Sequence, residues 1–386
     1  MNSKNSAQAF YEVVTKSADR GRDILTNITF FVGAGFSKSW DINSPTGNEL
    51  FTFPKKFIEN SPSEIKDLLT QPGYPSIQDT SPEKFKELVY QLNMQLKYPG
   101  IRTRYMDENS INIALDELKA LTQKRFEEIT SINYFDDQTG CFPLPTQLTE
   151  AQENILKFFK WLRIQQKECS GFSTGVHVDF ISTNYDYVIE TILDNIINST
   201  GVLRNSYRGI TPNMICGIKN KNVIHDHWAI DNILKINGGF EILNTQNNYH
   251  LDYRQRSFEE IKLKPPELMM PSKEQNYTNH YFSSVFPKAV RLLHESRVLV
   301  IVGYSLSEED ALLSFLIRQF AEDLRDVHGK YIFYIDYSNE DYLVQKLRNC
   351  FKYINFIDVD NVFAYSGGFT DWIEQVLAYN KDGLNN

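Results

Sequence analysis

The chain is poor in cysteine, has no long apolar run and carries no excess of positive charge. Its four cysteines, Cys141, Cys169, Cys216 and Cys350, are scattered over 386 residues and form no Cys-x-x-Cys pair. That spacing excludes a structural zinc module built on two such pairs, so isolated reduced thiols and no metal are expected. No apolar stretch approaches the roughly 20 residues that cross a bilayer, and the first residues lack a signal-peptide core; a cytoplasmic chain without a membrane partner is expected. Forty Lys and Arg against 49 Asp and Glu leave a net charge of −9, which argues against a broad nucleic-acid footprint. There is no Gly-x-x-x-x-Gly-Lys-[Ser/Thr] loop, no internal repeat and no low-complexity segment. What remains is ordinary globular material, 41% hydrophobic and 23% charged, long enough for a large core in two packing units.

Three apolar runs end abruptly in small or polar clusters. Ile28 to Val32 reads as a buried parallel strand that stops at Gly33-Ala34-Gly35-Phe36-Ser37. If a helix opens over Phe36 to Trp40, the turn's outward N–H groups and the helix N-terminus make an anion site suited to a dinucleotide pyrophosphate. The third glycine of the usual fingerprint is missing, because Lys38 stands in its place. On this turn alone, nucleotide binding and a plain strand-to-helix connection are equally open. Val178 to Ser182 runs into Thr183-Asn184-Tyr185-Asp186 ahead of an apolar helix from Tyr187 to Ile197. Val298 to Val302 ends in Gly303-Tyr304-Ser305-Leu306, followed by a capping box at Ser307-Glu308-Glu309-Asp310. Further strands are expected at Ile233 to Ile236, Tyr331 to Ile335 and near Ile354 to Val359. Strands alternating with helices predict an α/β fold with a doubly wound, Rossmann-like parallel sheet, in which strand ends converge on one crevice.

Residues 1–55 and 171–386 read as that core, and residues 56–170 as an inserted helical module. Ser61-Pro62-Ser63-Glu64 and Ser81-Pro82 are helix starts, and Ile111, Leu115, Leu118, Thr122 and Ile129 follow helical spacing, as do Ile155, Phe158, Phe159 and Leu162. The module would pack over the sheet, or serve as a lid or assembly surface. Lys262 to Met270, with Pro265 and Pro266, reads as an irregular surface segment. Asn184 either caps a helix or acts in catalysis; Asp186 either caps the same helix or supports Asn184. Ser37 and Ser305 suit phosphate or ribose contacts, with caps as the alternative, and Asp336 suits a ribose diol or a turn. His225 and His227 share a face but have no evident third ligand, so surface histidines are expected rather than a metal site.

Taken together, the Gly33–Ser37 turn, the Thr183–Asp186 cluster and Gly303-Tyr304-Ser305 resemble the sirtuin-like NAD-binding superfamily, over residues 28–50 and 175–340. The Tyr after the Asn and the Gly303-Tyr304-Ser305-Leu306-Ser307 block resemble its bacterial branch of antiphage NAD hydrolases more than the protein deacylases, and the missing Cys-x-x-Cys pairs point away from the deacylases. Pro45-Thr46-Gly47-Asn48-Glu49-Leu50 sits where such proteins carry a Pro-containing segment near the nicotinamide. The resemblance implies NAD+ as substrate, hydrolysis of its nicotinamide–ribose bond, and host defence by NAD+ depletion. It implies Asn184, Asp186 and Asn237 as catalytic residues. It implies NAD contacts from Gly33, Ala34, Gly35, Ser37, Thr183, Gly303, Ser305 and Asp336. It further implies a closed homo-oligomer, in some relatives beside a HerA-type ATPase. One position departs from the family pattern. A Lys-Leu-His-Gly type strand end is replaced by Lys235-Ile236-Asn237-Gly238, and Asn cannot take a proton near neutral pH where imidazole can. Another base serves, with His177, His225 and His227 as candidates, or the chain is a weakened enzyme, or the residue was substituted to trap ligand. The rival reading from another class is a non-catalytic sensor of NAD or a derivative that controls a partner; a nuclease subunit is disfavoured by the acidic charge.

Overall fold

The computed structural model describes residues 5–19, 25–59, 81–101, 106–169, 172–196, 206–216, 218–219, 231–245, 248–275, 279–306, 310–321, 329–351 and 361–382. Its strands in chain order are β1 Leu25–Val32, β2 Gln166–Cys169, β3 Phe172–Ser182, β4 Ser206–Tyr207, β5 Met214–Ile215, β6 Ile218–Lys219, β7 Asp231–Lys235, β8 Gly238–Thr245, β9 Asn248–Leu251, β10 Pro266–Leu268, β11 Val298–Val302, β12 Tyr331–Asp336 and β13 Val362–Ser366. Apolar runs without polar alternation need cover on both faces. β1 and β11 accordingly lie side by side in a seven-stranded parallel sheet, in the order β13-β12-β11-β1-β3-β7-β4, with β2 antiparallel beside β3. This is the doubly wound, Rossmann-like α/β sheet that the alternating pattern predicts.

From β1 the chain moves outward to β3 and β7, then returns to β11 on the other side and proceeds to β12 and β13. The reversal of direction makes β1 the switch point, where an open sheet leaves a crevice. The register sets the level of the three strand ends: Val32 pairs with both Ser182 and Val302. The turns that follow therefore leave the sheet together.

Consecutive residues of β1 serve opposite faces. Phe30 packs on Phe158 and Phe159 of α7 (Glu150–Gln165), while Phe31 lies 5.1 Å from the ring of Tyr304. α7 shares its face with α1 (Ser6–Asp19) and α13 (Phe369–Asp382), where Phe10, Phe158, Phe333 and Trp372 form one aromatic cluster. α10 (His280–Glu295) and α11 (Ala311–Arg318) join the opposite layer, where α12 (Glu340–Cys350) packs beside α11. Of the remaining helices, α2 (Ala34–Trp40) follows the glycine turn, α3 (Gly47–Leu50) and α4 (Lys55–Glu59) come next, then α5 (Pro82–Lys97) and α6 (Glu108–Ile129), with α8 (Val188–Ile196) after β3 and α9 (Phe258–Leu263) later. Ser81 caps α5 by accepting from Lys84 N, as Ser-Pro at a helix start predicts. Among the described residues no helix is long and apolar enough to cross a membrane.

One sequence expectation is corrected. Lys262 to Met270 is not irregular surface: α9 ends at Leu263, Pro266–Leu268 is the edge strand of a second sheet, and Glu267, Leu268, Met269 and Met270 are buried. Pro fits there because an edge strand need not donate on both sides. That second sheet, ordered β10-β8-β9-β5-β6, was not foreseen. Among the described residues the last strand of the parallel sheet is Val362–Ser366; the span expected near Ile354 to Val359 lies outside the described residues, as do the helix start at 61–64 and residues 307–309 of the capping box.

Candidate functional site

The two glycine turns meet backbone to backbone. A Cβ on Gly33 would stand 2.6 Å from Gly303 O, one on Gly35 2.6 Å from Gly303 Cα, and one on Gly303, whose φ is +59°, 2.4 Å from Gly35 Cα. The turn amides do not point outward as the sequence suggested: Gly33 N donates to Val302 O and Gly35 N to Gly303 O, each at 3.0 Å. The glycines are there because strand end packs on strand end. Anion-binding capacity from Gly33 and Gly35 is thereby spent.

Asn184, at the end of β3, is held by that turn. Its Nδ2 donates to Gly33 O at 2.8 Å and to Ser37 Oγ at 2.9 Å. A carbonyl only accepts, so Gly33 fixes the orientation of the amide, and both its protons are used. Oδ1 is the acceptor Asn184 has left to offer. Ser37 Oγ donates in turn to Asp186 Oδ2 at 2.6 Å, and Asp186 Oδ1 accepts from Val188 N at 3.1 Å. Asp186 thus fills both of its alternative roles, bonding the start of α8 and supporting Asn184 through Ser37. Ser37 is 2% exposed, and its hydroxyl proton belongs to the carboxylate. Burial raises the Asp186 carboxyl above its usual range, against the bonds from Ser37 and Val188.

Above these turns lies a cavity of about 650 Å³. Ala34, Gly35, Ser37, Thr183, Asn184, Asp186, Asn237, Gly303, Ser305 and Asp336 all line it; Gly33 lies behind the wall. At one end, Asp336 Oδ1 accepts from Ser338 N and Oγ, next to Tyr337, which is 78% exposed. Pro45, Thr46, Gly47, Asn48, Tyr185 and Asn237 line the cavity as well. Asn237 O accepts from Met269 N, while Asn237 Oδ1 is buried with no hydrogen-bond partner. Gly238 holds this turn against β10, since a Cβ there would lie 1.9 Å from Glu267 O. Phe126 of α6, Met269, Tyr337 and Phe369 also line the cavity. Sequence reasoning missed these four; only Tyr337, adjacent to Asp336 at a strand end, carried a local signal.

The candidate substitute bases fare differently. His177 pairs with Asp179 at 3.0 Å and lies five residues before Ser182 on β3, roughly 16 Å from the strand end. Burial pulls its pKa down, but Asp179 and Asp231 together raise it. It is not in the cavity wall. His225 and His227 lie outside the described residues, and among the described residues no group of His, Cys, Asp and Glu could hold a metal ion.

Behind Asp186, Lys235 lies 3.0 Å from both Glu190 Oε1 and Glu241 Oε1. Burial, with Glu190 nearby, outweighs the Lys235 pairing and pushes Glu241 up to about 7. A carboxyl whose pKa rises on folding gives stability that is complete below its unfolded value and is lost as pH climbs through the folded one. Melting temperature is therefore expected to fall between about pH 5 and pH 7, and Glu241→Gln to remove on the order of 1 kcal/mol or more of that slope. Equal slopes for the two proteins in calorimetric melts would refute the assignment.

Comparison with curated proteins returns no match. Similar solved structures include a Sir2 homologue–NAD complex (11% identity, 97% of this chain and 94% of that chain, TM-score 0.41). Another is a mutant Sir2 homologue complexed with ADP-ribose (11% identity, 100% of this chain and 98% of that chain, TM-score 0.41). A stretch that runs from within β3, through Asn184, Asn237 and the Gly303 turn, and past β12 matches a family description: residues 178–356 match the SIR2-like domain.

Proposed function

We propose that the chain binds NAD+ in this cavity and hydrolyses its nicotinamide–ribose bond, acting in the cytoplasm in bacterial antiphage defence by depleting NAD+. The observation that carries the reading is Asn184, locked by Gly33 and Ser37 with its Oδ1 free to accept, at the switch point of a sheet whose matched stretch is SIR2-like. In the proposed pose the adenosine ribose meets Asp336 and the pyrophosphate lies over Ala34, Gly303 and Ser305. The nicotinamide ribose then lies between Asn184 and Asn237. The C1′–N bond breaks with its electron pair leaving on nicotinamide, and water adds to C1′, giving ADP-ribose and a proton. A transition state with oxocarbenium character needs a positioned water more than a strong base. Asn184 Oδ1 would orient that water, and Asn237 Oδ1, buried and unpartnered, would accept from a ribose hydroxyl. No metal is assigned a role.

Asn237 also favours a second reading, a non-catalytic sensor of NAD or a derivative that controls a partner chain, because it cannot carry a proton where the family pattern has histidine. One experiment separates the two. Calorimetry with NAD+, run beside a nicotinamide-release assay, is expected to show binding and release; binding without release favours the sensor, and absence of both removes the hydrolase and any sensor of NAD+ itself.

A hydrolase that ran continuously would exhaust its host, so we include a gate in the proposal: a closed homo-oligomer, with a HerA-type ATPase as possible partner, contacted through α5 and α6. Light scattering is expected to give a mass above that of a dimer. A concentration-independent 44.8 kDa species would remove assembly as the gate.

A further inference from the structure

Four ionisable side chains are buried behind the cavity wall, Lys235 of β7, Glu190 of α8, Glu241 of β8 and Arg208 just after β4, next to the buried Asp186 of the wall itself. Lys235 Nζ makes three short polar contacts, ion pairs with Glu190 and Glu241 at 3.0 Å and a hydrogen bond to the backbone carbonyl of Asp186 at 2.6 Å. An ammonium has three N–H donors, so this set uses all of them. The rings of Tyr187 and Tyr253 flank it at 5.0 and 5.9 Å, and Arg208 Nε donates to Tyr253 OH at 2.6 Å.

Such a cluster is a poor way to gain stability. Buried ion pairs are often matched or bettered by apolar residues of similar volume. Here Glu190 Oε2 and Glu241 Oε2 are also buried without hydrogen-bond partners, a further cost. What the arrangement supplies is position. The two carboxylates, from a helix and from the second sheet, hold one ammonium against the peptide group of Asp186. Asp186 in turn bonds Ser37, and Ser37 bonds Asn184.

We propose that Lys235 is a positioning residue, a buried tripod that fixes the backbone of residues 184–186 and so aims Asn184 Oδ1 into the cavity. The proposal rests on the reading of that cavity as the place where NAD+ is cleaved. Lys235 is not itself a base, since its protons are committed to fixed acceptors. Lys235 itself does not line the cavity; its effect passes through Asp186, which does.

Lys235→Met alone strands two buried carboxylates and can fail to fold, so the informative pair is Glu190→Gln/Glu241→Gln and the same double with Lys235→Met added. Both remove the carboxylate charges; they differ in whether a donor to the Asp186 carbonyl remains. The double variant is expected to lose several-fold in kcat. The triple variant is expected to lose about 10²-fold, as a misplaced group does, with KM for NAD+ and melting temperature close to the double's. Hydrogen exchange supplies a readout independent of catalysis. The Val188 amide, bonded to Asp186 Oδ1, should lose protection in the triple variant while the β1 and β11 amides keep theirs. Equal rates and equal exchange in double and triple would overturn the proposal. Absence of nicotinamide release from the unmodified chain would instead sink the hydrolase reading, and the exchange contrast would still decide the role of Lys235.

Discussion

Asn184→Ala is expected to lower nicotinamide release by about 10²- to 10³-fold while leaving the KM for NAD+ within a few-fold. The amide makes its two donor bonds inside the protein, to Gly33 O and Ser37 Oγ. Truncation therefore removes the acceptor facing the cavity, which contributes to the transition state and little to ground-state binding. Asn237→His tests the other half of the site. If proton removal from the ribose limits the rate, an imidazole at that turn should raise release by about 10²-fold or more, the usual contribution of a positioned base. The gain should appear only as pH rises through the imidazole's own titration. An Asn237→His variant no faster than a rapid parent would show that positioned water suffices. An active Asn184→Ala variant would remove Asn184 from the reaction.

The parallel sheet could be read from the sequence because strands buried on both faces are continuous apolar words. Val298 to Val302 has the same bounds in sequence and structure, and the polar clusters after β1, β3 and β11 do meet, since Val32 is in register with Ser182 and Val302. The second sheet was not legible. β5 and β6 have two residues each, too few to show a period, and β10 contains Pro266, which in isolation marks a loop. Burial of Glu267 depends on Asn244 and Asn279, which donate to its two oxygens from β8 and from the cap of α10. No local pattern announces such partners.

The same limit applies within the cavity. Asn184, Ser37 and Asp186 are legible from two strand ends, but the direction of each hydrogen bond is not. Sequence shows that Ser37 has a hydroxyl; only the packed turns show that it serves Asp186 rather than a ligand. The Lys235 tripod was equally hidden, because Glu190 and Glu241 come from separate elements. Each reads locally as a charge that should be exposed.

Gly303→Ala is expected to destabilise the fold by about 3 kcal/mol or more, combining left-handed strain with overpacking. Its φ of +59° disfavours any side chain, and the added Cβ would sit 2.4 Å from Gly35 Cα and 2.5 Å from Phe36 N, backbone atoms that cannot rotate away. Gly35→Val meets the same obstacle from the other side, with Gly303 Cα 2.6 Å from its Cβ. Weak NAD+ binding by that variant would therefore report a broken strand junction, and phosphate occlusion has to be tested elsewhere. Gly47→Ala is the control: it lines the same cavity at the start of α3, and nothing lies within 4 Å of its Cβ. Alanine there should be neutral or slightly stabilising. Thermal melts of the three variants check the argument. A Gly303→Ala protein that melts with its parent would mean the two glycine turns do not pack on each other. The amides of Gly33 and Gly35 would then be available to a pyrophosphate after all.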